Sequence, residues 1–329
     1  MTIRMSAEWE PHDWLWIGFP SNADEWAAAA LPRAQEQIAA FANAIRAGGK
    51  GEQVRLVCND VTAAERARSL VEVGIEIIIQ PLGDVWLRDT GPICVMRADG
   101  TRALVDFGFN GWGGKYIMPG DSDIGARLAA TCALPVQSAP WIFEGGAVDT
   151  DGTGLFVTTE QCLLNPNRNP SLDKGQIETL LAGSLGLTDM LWLGDGLVND
   201  HTDGHVDNLA RFVAPSVIAI PQATTDDDPN AHIYADAAAR ATAHGLTVGP
   251  MPSPGKVVVD GAIIPASYMN FTIGNAVVVV PLYGQPNDEA AIEALRPFFP
   301  DRALVGLPSD AILTGGGSFH CTSQHMPSA

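Results

Sequence analysis

Basic residues are scarce in this chain: 19 lysines and arginines stand against 38 aspartates and glutamates, a formal net charge of -19 over 329 residues. A nucleic-acid binder needs a basic surface to meet phosphates, so no nucleic-acid partner is expected, whereas small cations are drawn in. Long apolar runs are also missing. The longest lies around residues 276–280, far short of the roughly 20 residues that a bilayer-spanning helix requires, so no membrane partner is expected. The stretch from Met1 to Glu8 has no apolar core ahead of a small-residue cleavage site, and the expected location is cytoplasmic. Cysteines are few, widely spaced and odd in number: Cys58, Cys94, Cys132, Cys162 and Cys321, with no C-x-x-C pair. That argues against a disulfide framework and against a structural zinc site. No glycine-rich phosphate fingerprint follows a strand-like run, which removes nucleotide chemistry. Linkers, charge blocks and low-complexity segments are absent too, and one domain over residues 1–329 is expected.

What is present is an alternation of strand-like and helix-like runs. Strands are predicted at 14–18, 54–58, 75–79, 93–96, 103–107, 155–158, 208–213 and 217–220, and near Val257 and Val277. Helices are predicted at 27–47, 123–132, 172–185, 231–244 and 288–298, and a capping box at Thr62-Ala63-Ala64-Glu65 opens another that runs to about Val73. The helices recur roughly every 45 to 75 residues with strands on either side, a period of repeated mixed α/β units rather than of one wound sheet. A closed ring of about five units is the inferred arrangement.

Four polar clusters interrupt the apolar pattern. In Asp84-Val85-Trp86-Leu87-Arg88-Asp89-Thr90-Gly91-Pro92, strand alternation would set Trp86 and Arg88 on one face and Leu87 and Asp89 on the other; a turn with a surface ion pair fits the same residues. Phe143-Glu144-Gly145-Gly146 puts a carboxylate ahead of two glycines, as solvated turns also do. His201 and His205 are four apart, a metal-facing spacing on a helix, but the intervening Asp203-Gly204 is turn chemistry. A turn into a strand is therefore expected there, with His205 and Asp207 on one face, and no metal. Last, Gly315-Gly316-Gly317-Ser318-Phe319-His320-Cys321 reads as a glycine turn running into a short strand, with Cys321 at its end as a nucleophile or as a small buried hydrophobe.

These clusters supply a thiol, an imidazole and at least three carboxylates, Asp89, Glu144 and Asp207. A thiol peptidase needs a Cys-His pair and one carboxylate. Three suit a guanidinium, which is permanently cationic and presents a planar fork of N–H donors that carboxylates match in pairs. Burying such a charge without paired carboxylates would be prohibitive. The clusters point to a reaction at a guanidinium carbon.

At the same residues the chain resembles the agmatine deiminases, within the wider group of guanidino-modifying enzymes. The resemblance runs through Ala7-Glu8-Trp9-Glu10-Pro11-His12, Trp86 to Pro92, Phe109-Asn110-Gly111-Trp112-Gly113-Gly114-Lys115-Tyr116 and Glu144-Gly145-Gly146. It continues through Cys162-Leu163-Leu164-Asn165-Pro166-Asn167-Arg168-Asn169-Pro170, Gly204-His205-Val206-Asp207-Asn208, Ala266-Ser267-Tyr268-Met269-Asn270-Phe271 and Gly316 to Cys321. It implies a five-bladed α/β propeller of pseudo-fivefold ββαβ repeats, with no cofactor and no metal, pairing as a homodimer. It implies that Cys321 is the nucleophile, His205 the general acid and base, Asp89 and Asp207 the clamps on the guanidinium, and Glu144 a further carboxylate near imidazole and substrate. Trp86 and Trp112 would line the substrate channel, or pack as core. The implied reaction hydrolyses agmatine to N-carbamoylputrescine and ammonia, a step towards putrescine, through a covalent amidino-cysteine. Deimination of arginine or peptidyl-arginine, amidino transfer and a non-catalytic propeller are the alternatives. The chain departs from the family pattern at Ser318-Phe319, where Asn-Ile is common. It departs again at His201, near the place of an acidic residue associated with the amine of agmatine.

Overall fold

The computed structural model describes residues 3–23, 25, 26 and 30–329. One unit recurs through them: a strand, an antiparallel neighbour, a helix, and a further strand parallel to that neighbour. Ile93–Arg97, Arg102–Gly108, helix Ile124–Ala130 and Val136–Ile142 make one such unit. Val148–Thr150, Leu155–Thr159, helix Lys174–Leu185 and Asp189–Leu193 make the next. Arg211–Ala214, Val217–Gln222, helix Ala231–Ala243 and Thr247–Pro252 follow. Then come Thr272–Ile273, Val277–Leu282, helix Asp288–Leu295 and Ala303–Pro308. The remaining unit is closed by both ends of the chain. Ser323–Pro327 pairs antiparallel with His12–Gly18, which leads through helix Leu31–Arg46 to the parallel strand Gln53–Cys58. The result is an α/β fold of several small sheets with helices packed on them.

Each helix is present for an ordinary reason. In Leu31–Arg46, Ala34, Ile38, Ala39, Phe41, Ala42 and Ile45 recur at helical spacing and are all buried, while Pro32, Arg33 and Glu36 are exposed. The first residues of the predicted helix, 27–29, lie outside the described residues. Helix Val61–Arg68 corrects the expected cap: Asp60, not Thr62, accepts the first free N–H, from Ala63 at 2.8 Å. It also stops at Arg68 rather than near Val73, because Ser69 turns its hydroxyl back onto the Arg66 carbonyl at 2.6 Å. Among the described residues no helix is long and apolar enough to cross a membrane.

Three predicted strand segments are not strands. Leu87–Thr90 is a short helix, Val206–Asn208 a 3-10 turn, and residues 319–322 a turn in which Thr322 N–H donates to the Ser318 carbonyl at 3.1 Å. The reason is common to all three, since each cluster sits in the tight turn just ahead of the first strand of a unit. Gly145–Ala147 and Tyr268–Asn270 occupy the same place ahead of the other two first strands. Five helical or helix-like turns are thereby presented by five sheets, and the polar clusters are their side chains.

Candidate active site

The turns touch one another through their backbones and side chains. Arg88 N–H donates to the Cys321 carbonyl at 3.1 Å, and Gly146 N–H donates to Asp89 Oδ1 at 3.0 Å. Asn270 uses its Nδ2 on Asn208 Oδ1 and on Cys321 Sγ, both at 2.9 Å, and its Oδ1 on Cys321 N–H at 3.2 Å. These contacts hold the thiol in one place. Gly317 is required by that packing: a Cβ there would stand 2.7 Å from the Trp86 ring and 2.9 Å from Cys321 Cβ. At Gly146 a Cβ would intrude between His205 Nδ1 at 2.6 Å and Asp89 Oδ1 at 2.9 Å.

Asp89, Glu144, His205, Asp207 and Cys321 all belong to this group and are all buried. His205 Nε2 donates to Glu144 Oε2 at 3.1 Å, and its Nδ1 lies 3.7 Å from Asp89 Oδ1 without a hydrogen bond. Burial opposes charge on that ring, yet Asp89 and the Glu144 bond hold its pKa well above the ordinary value, so it is an imidazolium at neutral pH. Glu144 is in turn gripped by Arg168, whose Nε and Nη2 donate at 3.1 Å; despite burial, the His205 bond and Arg168 keep its pKa below the usual range. Asp89 behaves differently. Burial, with Asp207 and Glu144 nearby, pushes it up to about 6, even though His205 works the other way. Asp207 is held below the usual range against burial by its bond from His320. Its Oδ2 lies 3.5 Å from Cys321 Sγ, and its Oδ1 has no partner. Burial, Asp207 and Asp89 together raise the thiol well above its ordinary value.

Cys321 and Asp89 open into a cavity. Trp86 and Trp112 form its walls, and both are also buried in the core, so the two readings of these rings hold together. Trp112 adopts a left-handed backbone (φ 52°) that turns its Nε1 onto Asp89 Oδ2 at 2.9 Å. Trp86 donates to Asp84 Oδ2 at 2.7 Å, and Trp26, stacked 6.3 Å from it, donates to Asp84 Oδ1 at 3.2 Å. Burial raises Asp84 to about 7, and Asp121 adds to the effect. Glu25, Tyr116 and His201 also line the cavity. Lys115 donates to the His201 carbonyl at 2.6 Å and to Asp203 Oδ1 at 2.7 Å. His201 is exposed, far in environment from the fully buried His205, and the pair does not converge as ligands. Among the described residues a different set does: Glu144, Cys162 and His205 bring their donor atoms within 4.8 Å. Arg168 on Glu144 already supplies the cation there.

Sequence reasoning named these five central residues but assigned no role to Asn270, Arg168, His320 or Asp84. A signal for Asn270 exists: it ends the turn ahead of Thr272–Ile273, the position in its unit that Cys321 holds ahead of Ser323–Pro327.

A buried thiol, an imidazolium and paired carboxylates carried on turns of repeated α/β units define a guanidino-modifying class of protein, and the chain belongs to the Porphyromonas-type peptidyl-arginine deiminase family, which it matches over residues 4–327. Within it, the chain is 35% identical to the agmatine deiminase of Pseudomonas aeruginosa (strain LESB58), an alignment covering 99% of this chain and 95% of the other. An Enterococcus faecalis agmatine deiminase structure superposes with a TM-score of 0.92 at 31% identity, covering 99% of this chain and 96% of that one. A C. jejuni agmatine deiminase with a Cys-to-Ser substitution and substrate bound gives 0.92 at 26% identity, covering 99% and 97%.

Proposed function

We propose that this protein is an agmatine deiminase, a hydrolase of the C–N bond of a linear amidine. The observation that carries the reading is the pair of anionic groups, Asp89 and Asp207, flanking the Cys321 thiol beside an imidazolium. A guanidinium set between Asp89 and Asp207 offsets the two charges that hold the thiol up, so binding and thiol deprotonation favour each other. With its proton released to solvent, Cys321 Sγ then attacks the guanidinium carbon. His205 gives a proton to one amino group, the C–N bond breaks and ammonia leaves, with an amidino group remaining on sulfur. Neutral His205 next takes a proton from water as the oxygen adds to that carbon; the C–S bond breaks, the thiolate returns, and the second hydroxyl proton is lost to give the ureido product. Glu144, bonded to Nε2, holds the ring in place through both steps. Trp86 and Trp112 enclose the alkyl chain.

The lining of the cavity supports agmatine over arginine. Asp84 and Glu25 line it, while Lys115 is engaged by Asp203 and the His201 carbonyl. An ammonium tail meets carboxylates; an α-carboxylate meets like charge. Agmatine is expected to exceed arginine in kcat/KM by at least about 100-fold, or roughly 2.7 kcal/mol. Ammonia release from agmatine, arginine and a peptide ending in arginine, with mass detection of N-carbamoylputrescine, tests the assignment. Equal values for arginine would overturn it.

The pH profile provides a second check. Asp89 titrates at about 6 and must be ionised to hold a cation, so its contribution is present above that pH and lost below it. kcat/KM is expected to fall about tenfold per unit once pH drops below about 6. A flat profile to pH 5 would remove Asp89 from the clamp.

Finer features belong to the same proposal. Five strand–strand–helix–strand units, the last joined by both chain ends, support a five-bladed propeller acting as one domain. The acidic composition agrees with a cytoplasmic enzyme that meets no nucleic acid. Assembly as a homodimer and a place on the way to putrescine complete the reading.

A further inference from the structure

Behind the nucleophile lies a buried ionic group that the chemistry above leaves unused. His320, adjacent to Cys321, is 2% exposed. Its Nδ1 lies 2.7 Å from Asp207 Oδ2 and its Nε2 2.9 Å from Glu8 Oε2. Both partners are carboxylate oxygens, which accept and, when ionised, cannot donate. A ring bonded to two acceptors needs a proton on each nitrogen. The alternative, a neutral ring with one carboxyl protonated, conflicts with what surrounds the acids. Glu8 also accepts from Arg211 Nη2 and from Ile273 N–H and lies 3.7 Å from Arg88 Nη2. Against burial, Arg211 and His320 hold Glu8 well below the usual carboxylate range.

Charges of both signs surround the ring. Glu8, Asp149 and Asp207 are three carboxylates, Asp149 being bonded by Arg211 Nε at 3.2 Å and by Phe212 N–H at 2.7 Å. Arg88 and Arg211 are two guanidiniums. His325, against Arg88 Nη1, is held neutral by burial with His12 and Arg88 beside it. His320 sits among these carboxylates, with Arg302 also facing Glu8 and His205 facing Asp207, in a region where an uncompensated charge is costly.

We propose that His320 is a positioning residue: an imidazolium, wedged between Glu8 and Asp207 and donating to both, that keeps Asp207 ionised and its Oδ2 fixed beside the Cys321 sulfur. The charge state stands on geometry alone; its effect on turnover rests on the deiminase reading. Without it, Asp207 would share a dry pocket with Asp89 and Glu144 and would take up a proton. The clamp would then become sensitive to pH through a group that does not touch the substrate.

Nitrogen-15 NMR of histidine-labelled enzyme, without substrate, tests the charge. The His320 signal is assigned by its loss in His320→Gln and, independently, by its shift in Glu8→Gln. Two protonated nitrogens at pH 7.5 are expected in the unmodified protein; a neutral tautomer there would overturn the proposal. In Glu8→Gln one of the two anions facing the ring is gone, so the His320 signal should move toward the neutral form as pH rises. kcat/KM for agmatine should then fall by at least about tenfold between pH 7 and 9, relative to the parent profile. A loss equal at every pH, with the His320 signal unchanged, would mean a merely structural role and would also overturn it. Should the parent enzyme turn over no guanidine, the deiminase reading fails, while the NMR result still decides the charge of His320.

Discussion

Replacing Cys321 by Ala is expected to lower agmatine turnover by at least about 10⁵-fold, the order seen when a nucleophile is removed from a group that acts as a unit. No other side chain can take its place. Asp207 Oδ2 is 3.5 Å from the sulfur, but that carboxylate is bonded to His320 and held in the ionised form, so it cannot shift to attack. Of the other cysteines, Cys162 lies against Glu144 at 3.9 Å and burial raises its thiol pKa, leaving it protonated. Agmatine affinity should stay within about tenfold, because the carboxylates that hold the guanidinium are untouched. Ammonia release and calorimetric binding on the same variant separate the two effects. Turnover above about 1% of the parent would rule out a covalent route through this residue.

Asp207→Asn and Asp89→Asn should each cost about 2 to 5 kcal/mol of transition-state binding, because each leaves a desolvated guanidinium with half of its counter-charge. That is a fall of about 30- to 5,000-fold in kcat/KM. The two variants should differ in a telling way. Asp89 accepts from both Gly146 N–H and Trp112 Nε1, through different oxygens, and an amide can accept only through one. The Trp112 wall should loosen, KM should rise, and the acid limb near pH 6 should vanish with the group that produced it. Asp207 instead carries the bond from His320, so Asp207→Asn should retain the acid limb. Kinetics from pH 5 to 8 on both variants check this, and near-normal values in either would take that residue out of the clamp.

Much of the site was legible in the chain because its chemistry is local in sequence. Asp89, Glu144, Asp207 and Cys321 each stand in a short polar cluster next to glycine, against apolar surroundings, and a cluster of that kind is conspicuous whatever its secondary structure. The strand assignments for those clusters failed for a physical reason. Alternation over four or five residues does not distinguish a strand from the one-turn helix that precedes it, and hydrogen bonds made elsewhere decide. For Leu87–Thr90 the deciding bond is Arg88 N–H to the Cys321 carbonyl, 233 positions along the chain. Asn270 and Arg168 went unassigned because an amide or a guanidinium among polar neighbours carries no chemical signature of its own, and the positional signal of Asn270 shows only once the units are aligned. Each acquires its role from one partner, Cys321 Sγ for the first and Glu144 for the second.

By itself, then, the amino-acid order determined the alternation of strands and helices, the acidic balance, and the polar clusters from which the candidate site is built. These depend on neighbours within a few residues or on simple sums. Only the tertiary structure decided the protonation pattern, because a pKa is set by what stands a few ångströms away. Asp89 rises to about 6 while Asp207 falls, although both are buried aspartates beside the same thiol. The difference is His320, which reaches Asp207 and not Asp89, and it reaches Asp207 because the C-terminal segment folds back onto the strand at His12–Gly18.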